Sequence, residues 1–142
     1  MVDCRAALFG VKRGCAVETA VLILVAEDER VVRELLGVAL EDDGYSVLLA
    51  ASGEEAVALL DEHNEARGVI TDVRLGGKRK LTGWDVARHA RELNPDIAVV
   101  YMSGDSAVDW TAQGVPKSVM VAKPFAMSQI TTAVATLLNE AG

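Results

Sequence analysis

Four short apolar runs in this chain each stop on a polar residue capable of chemistry. Val21 to Ala26 ends on Glu27-Asp28, Gly68 to Thr71 on Asp72, Ile97 to Met102 on Ser103, and Val119 to Ala122 on Lys123-Pro124. Apolar runs of about four to eight residues, rich in Val and Ile, have the length and composition of strands buried on both faces. That burial arises in parallel sheets covered by helices, and the C-terminal ends of such strands form the crevice where ligands bind. Three acids, a hydroxyl and an amine are therefore expected along one rim.

Between these runs the periodicity turns helical. Residues 29–42 carry Val32, Leu35, Leu36, Ala39 and Leu40 on one face. Residues 52–64 carry Ala56, Leu59, Leu60 and His63, with Ser52 as N-cap and Glu55 completing a capping box. Residues 82–93 turn Val86, Ala90 and Leu93 inward and stop at Asn94-Pro95. A shorter helix is expected from Ser106 to Gln113, and a last one over about residues 127–139 with Ile130, Ala133, Val134, Leu137 and Leu138 as its stripe. With Ser46 to Ala50 as a further strand, a β-α unit recurs five times. Such alternation predicts a parallel sheet with helices on both faces and right-handed crossovers. The 142 residues suit one domain over 20–142, preceded by a loose extension over 1–19.

Composition narrows the function classes. A net charge of -7 disfavours nucleic acid and anionic lipid as direct partners. The basic residues are scattered except for Lys78-Arg79-Lys80, read as a solvated loop tip. Cys4 and Cys15 lack metal-type spacing, and free thiols in a reducing cytoplasm are expected. No apolar stretch has the length of a signal-peptide core or a membrane span, so a cytoplasmic location is expected. No G-x-G-x-x-G or P-loop pattern follows any of the apolar runs.

The acids are the telling group. Each alone could cap a helix, and Asp28 stands where an N-cap would be useful. Together they are costly, because two like charges 4 Å apart repel by about 4 kcal/mol at an effective dielectric of about 20. Glu27, Asp28 and Asp72 on one rim need more positive charge than Lys123 supplies. Hard oxygen ligands with room for water suit Mg²⁺. An acid cluster that needs a cation, beside an amine and a hydroxyl, is the equipment of phosphoryl transfer.

From about Ala20 to Leu138 the chain resembles the receiver domain of response regulators, the phospho-accepting module of two-component signalling. The resemblance rests on Leu24-Val25-Ala26-Glu27-Asp28-Glu29, Thr71-Asp72-Val73-Arg74-Leu75, Tyr101-Met102-Ser103-Gly104 and Val121-Ala122-Lys123-Pro124-Phe125, in that order. It implies a flavodoxin-like (βα)5 three-layer α/β sandwich with strand order 2-1-3-4-5. It implies that Asp72 accepts a phosphoryl group from a sensor histidine kinase or phosphotransfer protein. Glu27, Asp28, Asp72 and the backbone carbonyl of Arg74 would bind Mg²⁺. Lys123 would pair with the phosphoryl oxygens, Ser103 would move to hydrogen-bond them, and Lys123-Pro124 would be a cis peptide. Output would be a phosphorylation-biased contact with a downstream protein, and a homodimer through the fourth and fifth helices is an open option.

Several positions depart from the family pattern. Gly76 replaces a usual Pro, the loop through Gly77 to Leu81 is longer, and Thr82-Gly83 replaces a usual Asp-Gly. Met120 stands where the family often has Tyr or Phe, which implies altered coupling from Ser103. Arg74 and Asp105 flank the expected phosphoryl position, and Gly104 leaves space beside it. Trp84 and Trp110 read as surface or rim residues, and neither His63 nor His89 has ligand spacing. The rival readings are an interaction module that has lost phosphorylation and a phosphatase that turns over an aspartyl phosphate. The phosphatase would want an acid at position 74. The module is read as no enzyme in its own right, and no output domain is expected after Asn139.

Overall fold

The structure is a computed structural model that describes residues 20–75, 81–104 and 109–141. The extension with Cys4 and Cys15, the Lys78-Arg79-Lys80 loop, Gly76, Asp105 and the expected helix start at Ser106 lie outside the described residues. Strands β1 (Leu22–Ala26), β2 (Ser46–Ala50), β3 (Gly68–Asp72), β4 (Ala98–Ser103) and β5 (Ser118–Ala122) alternate with helices α1 (Arg30–Asp42), α2 (Gly53–Glu62), α3 (Gly83–Leu93), α4 (Trp110–Gln113) and α5 (Met127–Ala141). The sheet order is β2-β1-β3-β4-β5, and each neighbouring pair is parallel. This is the expected flavodoxin-like arrangement.

Apolar layers fill both sides of the sheet, as the continuous strand runs require. On one side Leu24, Val69, Val99 and Tyr101 meet Ala56 and Leu60 of α2 and Val86, Ala87 and Ala90 of α3. On the other, Ile23, Val25, Ile70 and Val100 meet Leu36 and Leu40 of α1 and Ile130, Val134 and Leu137 of α5. Each fully buried aliphatic side chain contributes about 1.5–3 kcal/mol, so these layers dominate the stability.

Local details correct several expectations. Leu35 does not join the buried face of α1, which is centred on Leu36 and Leu40. With Val31 and Val38 it forms an exposed apolar stripe. Leu93 is likewise exposed, because the buried face of α3 is centred on Val86, Ala87 and Ala90. Trp84 is a core residue rather than a rim residue. It is 8% exposed and lies against the Tyr101 ring, with centroids 4.6 Å apart. Asp28 is not the N-cap of α1; Glu29 is, without a side-chain cap bond. Ser52 caps α2 by accepting from the Glu55 N–H, but Glu55 reaches back to the Ala51 N–H, one residue earlier than expected.

The start of α3 has a direct bearing on the site. Thr82 and Asp85 form a reciprocal capping box there. The next residue must be glycine, since a Cβ on Gly83 would lie 2.1 Å from the Asp72 carbonyl oxygen. The Gly83 N–H instead donates to the Val73 carbonyl at 2.8 Å. The helix thus butts directly onto the backbone that carries Asp72.

Candidate functional site

Strand register brings the expected residues to one rim. Ala26 pairs with Thr71, so Glu27, the next residue, emerges level with Asp72. Asp72 pairs with Met102, and Ser103 pairs with Ala122, the residue before Lys123. Carboxylate oxygens of Glu27, Asp28 and Asp72 all lie within 4.8 Å of one another. Lys123 Nζ donates to Asp72 Oδ2 at 2.9 Å and to Glu27 Oε1 at 3.4 Å. The Lys123-Pro124 peptide is cis.

The two buried acids are held by backbone as well. Glu27 is fully buried, and its Oε2 accepts the Glu29 N–H at 3.0 Å. Asp72 is buried, and its Oδ1 accepts the Arg74 N–H at 3.2 Å. Asp28 is exposed to solvent. Ser103 is buried, and its carbonyl accepts the Lys123 N–H at 2.8 Å, tying the ends of β4 and β5 together. Arg74 is exposed, and a Cβ added to Gly104 would meet none of the described residues within 4 Å.

The charges are unbalanced toward the negative. Burial pushes the Glu27 carboxyl up to about 7, with the Asp72 charge acting in the same sense and the Glu29 N–H and Lys123 opposing them. For Lys123, burial disfavours the ammonium, but the bond to Asp72 and the charges of Asp72 and Glu27 outweigh it. Its pKa rises above the ordinary lysine value. A buried carboxyl driven toward neutrality beside a second carboxylate favours a bound cation. The donors are hard oxygens, partly open to solvent through Asp28, which fits Mg²⁺ with retained waters.

Sequence reasoning missed Arg33, whose Nη1 donates to the Glu27 carbonyl at 2.8 Å and lies 3.4 Å from the Asp28 carbonyl. The only signal was an arginine in the second turn of the helix that follows the acids. It also missed the role of Tyr101, whose hydroxyl accepts the Val115 N–H at 3.1 Å. Met120 is half-buried, pairs with Tyr101 across the sheet and packs into the same apolar layer. His89, given no role, meets Asp61 at 2.7 Å and joins α3 to α2. Trp110 is partly exposed, and its Nε1 donates to Ser118 Oγ at 2.8 Å.

Among known proteins, a family model described as the response regulator receiver domain matches residues 23–135. "Response regulator MprA" of Mycobacterium sp. (strain KMS) is 32% identical over 121 residues, covering 84% of this chain and 51% of that protein. "Sensor kinase CckA" of Brucella abortus (strain 2308) is 36% identical over 123 residues, covering 83% of this chain and 12% of that protein. The chain thus spans about half the length, or less, of the curated relatives it matches. Among solved structures, a response regulator receiver protein from Sinorhizobium medicae WSM419 superposes with a TM-score of 0.82 at 40% identity. That match covers 87% of this chain and 98% of the other.

Proposed function

Because the chain belongs to the response regulator receiver domain family, we propose that it accepts a phosphoryl group on Asp72, with Mg²⁺ bound at the acid cluster. The donor in this reading is a phosphohistidine on a sensor histidine kinase or a phosphotransfer protein. The bond from phosphorus to the histidine nitrogen breaks as one to an Asp72 carboxylate oxygen forms, and the imidazole leaves. The observation that carries the reading is Lys123 Nζ placed between Asp72 and Glu27, at 2.9 and 3.4 Å, among three clustered carboxylates.

Each residue has a distinct task. Asp72 supplies the nucleophilic oxygen, and its bond to the Arg74 N–H fixes the plane of the carboxylate. Asp28, Glu27, Asp72 and the Arg74 carbonyl would hold Mg²⁺, which supplies charge neutralisation and polarisation of the phosphoryl oxygens. Lys123 moves its hydrogen bond from the carboxylate to a phosphoryl oxygen and offsets the added charge. Ser103, at the end of β4, donates its hydroxyl to the same group and draws the following loop toward it. Hydrolysis of the acyl phosphate by water resets Asp72. The domain works on its own side chain rather than turning over an external substrate.

The exposed stripe of Val31, Leu35 and Val38 on α1 supports a protein donor. Beside the site a groove of about 400 Å³ lies between Glu29, Val32, Lys123, Pro124, Phe125 and Met127. Output in this reading is a contact with another protein, biased by the roughly two negative charges that phosphate adds. No described helix is long and apolar enough to cross a membrane.

The test is incubation with Mg²⁺ and acetyl phosphate, followed by intact mass. The wild type is expected to gain one phosphoryl group and Asp72→Asn none. An unmodified wild type, or equal modification of Asp72→Asn, overturns the assignment.

A further inference from the structure

The loop between β1 and α1 carries Glu27 and Asp28, yet it lacks the side-chain cap that secures the starts of α2 and α3. What grips it is Arg33. Its Nη1 donates to the Glu27 carbonyl at 2.8 Å, a charge-assisted bond, and reaches the Asp28 carbonyl at 3.4 Å, the long limit of such contacts. Its own backbone N–H donates to the Glu29 carbonyl at 2.9 Å. The Glu29 contact is the first backbone bond of α1, and the Arg33 side chain itself reaches the two carbonyls before it. The guanidinium bonds to carbonyl oxygens of the acid loop, whereas Lys123 bonds to two of the carboxylates directly.

We propose that Arg33 is a positioning residue for the acid pair, holding the Glu27 and Asp28 carbonyls so that their carboxylates stay gathered with Asp72 for the cation. The proposal rests on the reading of this rim as an Mg²⁺-dependent phospho-accepting site. Two physical effects of Arg33 have opposite signs. Its positive charge repels a nearby cation, so a mere charge would weaken Mg²⁺ binding, and its removal would tighten it. Its hydrogen bonds pre-organise the ligands, and removal of an outer-shell partner of this kind weakens metal binding about tenfold or more.

The sign of the change decides between them. Arg33→Met keeps the stem and the helix propensity while removing donor and charge. Arg33→Lys restores one donor. Mg²⁺ affinity is measured by calorimetry on each full chain, after circular dichroism shows a folded protein. We expect Arg33→Met to bind Mg²⁺ about tenfold more weakly. Its phosphorylation by acetyl phosphate is expected to return toward the wild-type rate at saturating Mg²⁺, and Arg33→Lys to recover part of the lost affinity. Unchanged or tighter binding by Arg33→Met overturns the proposal. Absence of any recovery by Arg33→Lys also overturns it, because a donor restored on the same stem would then hold nothing. If Arg33→Met does not fold, Arg33→Lys decides alone: weaker binding than wild type supports the positioning role, and equal binding overturns it. A wild type that binds Mg²⁺ but takes no phosphoryl group sinks the reading of Asp72 and leaves the Mg²⁺ comparison standing.

Discussion

Glu27 and Lys123 share one buried contact and respond to pH in different ranges. The folded pKa of Glu27 is about 7 against an ordinary 4.5, so its contribution to stability is full below about 4.5 and is lost as pH rises through about 7. Between about pH 5 and about pH 8 the Mg²⁺-free wild type is therefore expected to lose stability relative to Glu27→Gln, as followed by urea unfolding. A parallel pair of curves would remove Glu27 from the pH response. Mg²⁺ bound at the acids would displace the same proton, so its affinity is expected to climb over that range, with proton release visible in buffers of different ionisation enthalpy. For Lys123→Ala, Mg²⁺ binding is expected to persist while the phosphorylated form loses its effect on partners; loss of Mg²⁺ binding would contradict the ammonium's assigned place. At this scale the acids, Ser103 and Lys123 were legible because each follows directly on an apolar run. Arg33 was not, because its targets are carbonyls, which every residue carries. Trp84 was not, because its one apolar neighbour at helical spacing, Ala87, is too small to mark a buried face.

Helices α1 and α3 frame the site in different ways. At Gly83 the helix start sits so close to Asp72 that an added methyl must displace backbone. Gly83→Ala is expected to cost about 1–3 kcal/mol in unfolding measurements and to slow phosphorylation by acetyl phosphate. A wild-type rate in this variant would show that the Asp72 segment tolerates the shift. Leu35 is 51% exposed, and Leu35→Glu is expected to change stability by no more than about 0.5 kcal/mol. It is expected to slow transfer from a phosphohistidine protein several-fold and leave acetyl phosphate untouched. Equal rates from both donors would clear α1 of a docking role. The presence of α1 was legible from its period; its buried face was not, because Leu35 and Leu36 are both apolar and adjacent. Only packing against β1 and α5 chose Leu36. The cap of α3 was masked in a similar way, since Thr82-Gly83 departs from the family's usual pair and only the structure shows Thr82 with Asp85 serving as the box.

For the molecule as a whole, the alternation of strand and helix signals was enough to give a parallel sheet with helices on both faces. What it could not give was the extent of burial at the edges. β2, an edge strand, leaves Ser46 and Leu49 exposed where a central strand such as β3 is buried throughout. The site draws on the ends of β1, β3, β4 and β5, and the acids that would hold a cation follow β1 and β3, two neighbouring strands. At a hundred times its dissociation constant, Mg²⁺ is expected to add about 2.7 kcal/mol to stability. Chelation is then expected to lower the melting temperature by about 5–10 °C, and an unchanged melt would argue against a folded-state site. The contact of Trp84 with Tyr101 gives this sheet an optical gauge of its own. Tyr101 lies two residues before Ser103 on β4, so displacement of that strand end alters the surroundings of a buried indole. With Trp110 replaced by Phe, a single emitter would remain at the centre of the domain, its colour and lifetime tracking the occupancy of the rim without any attached dye.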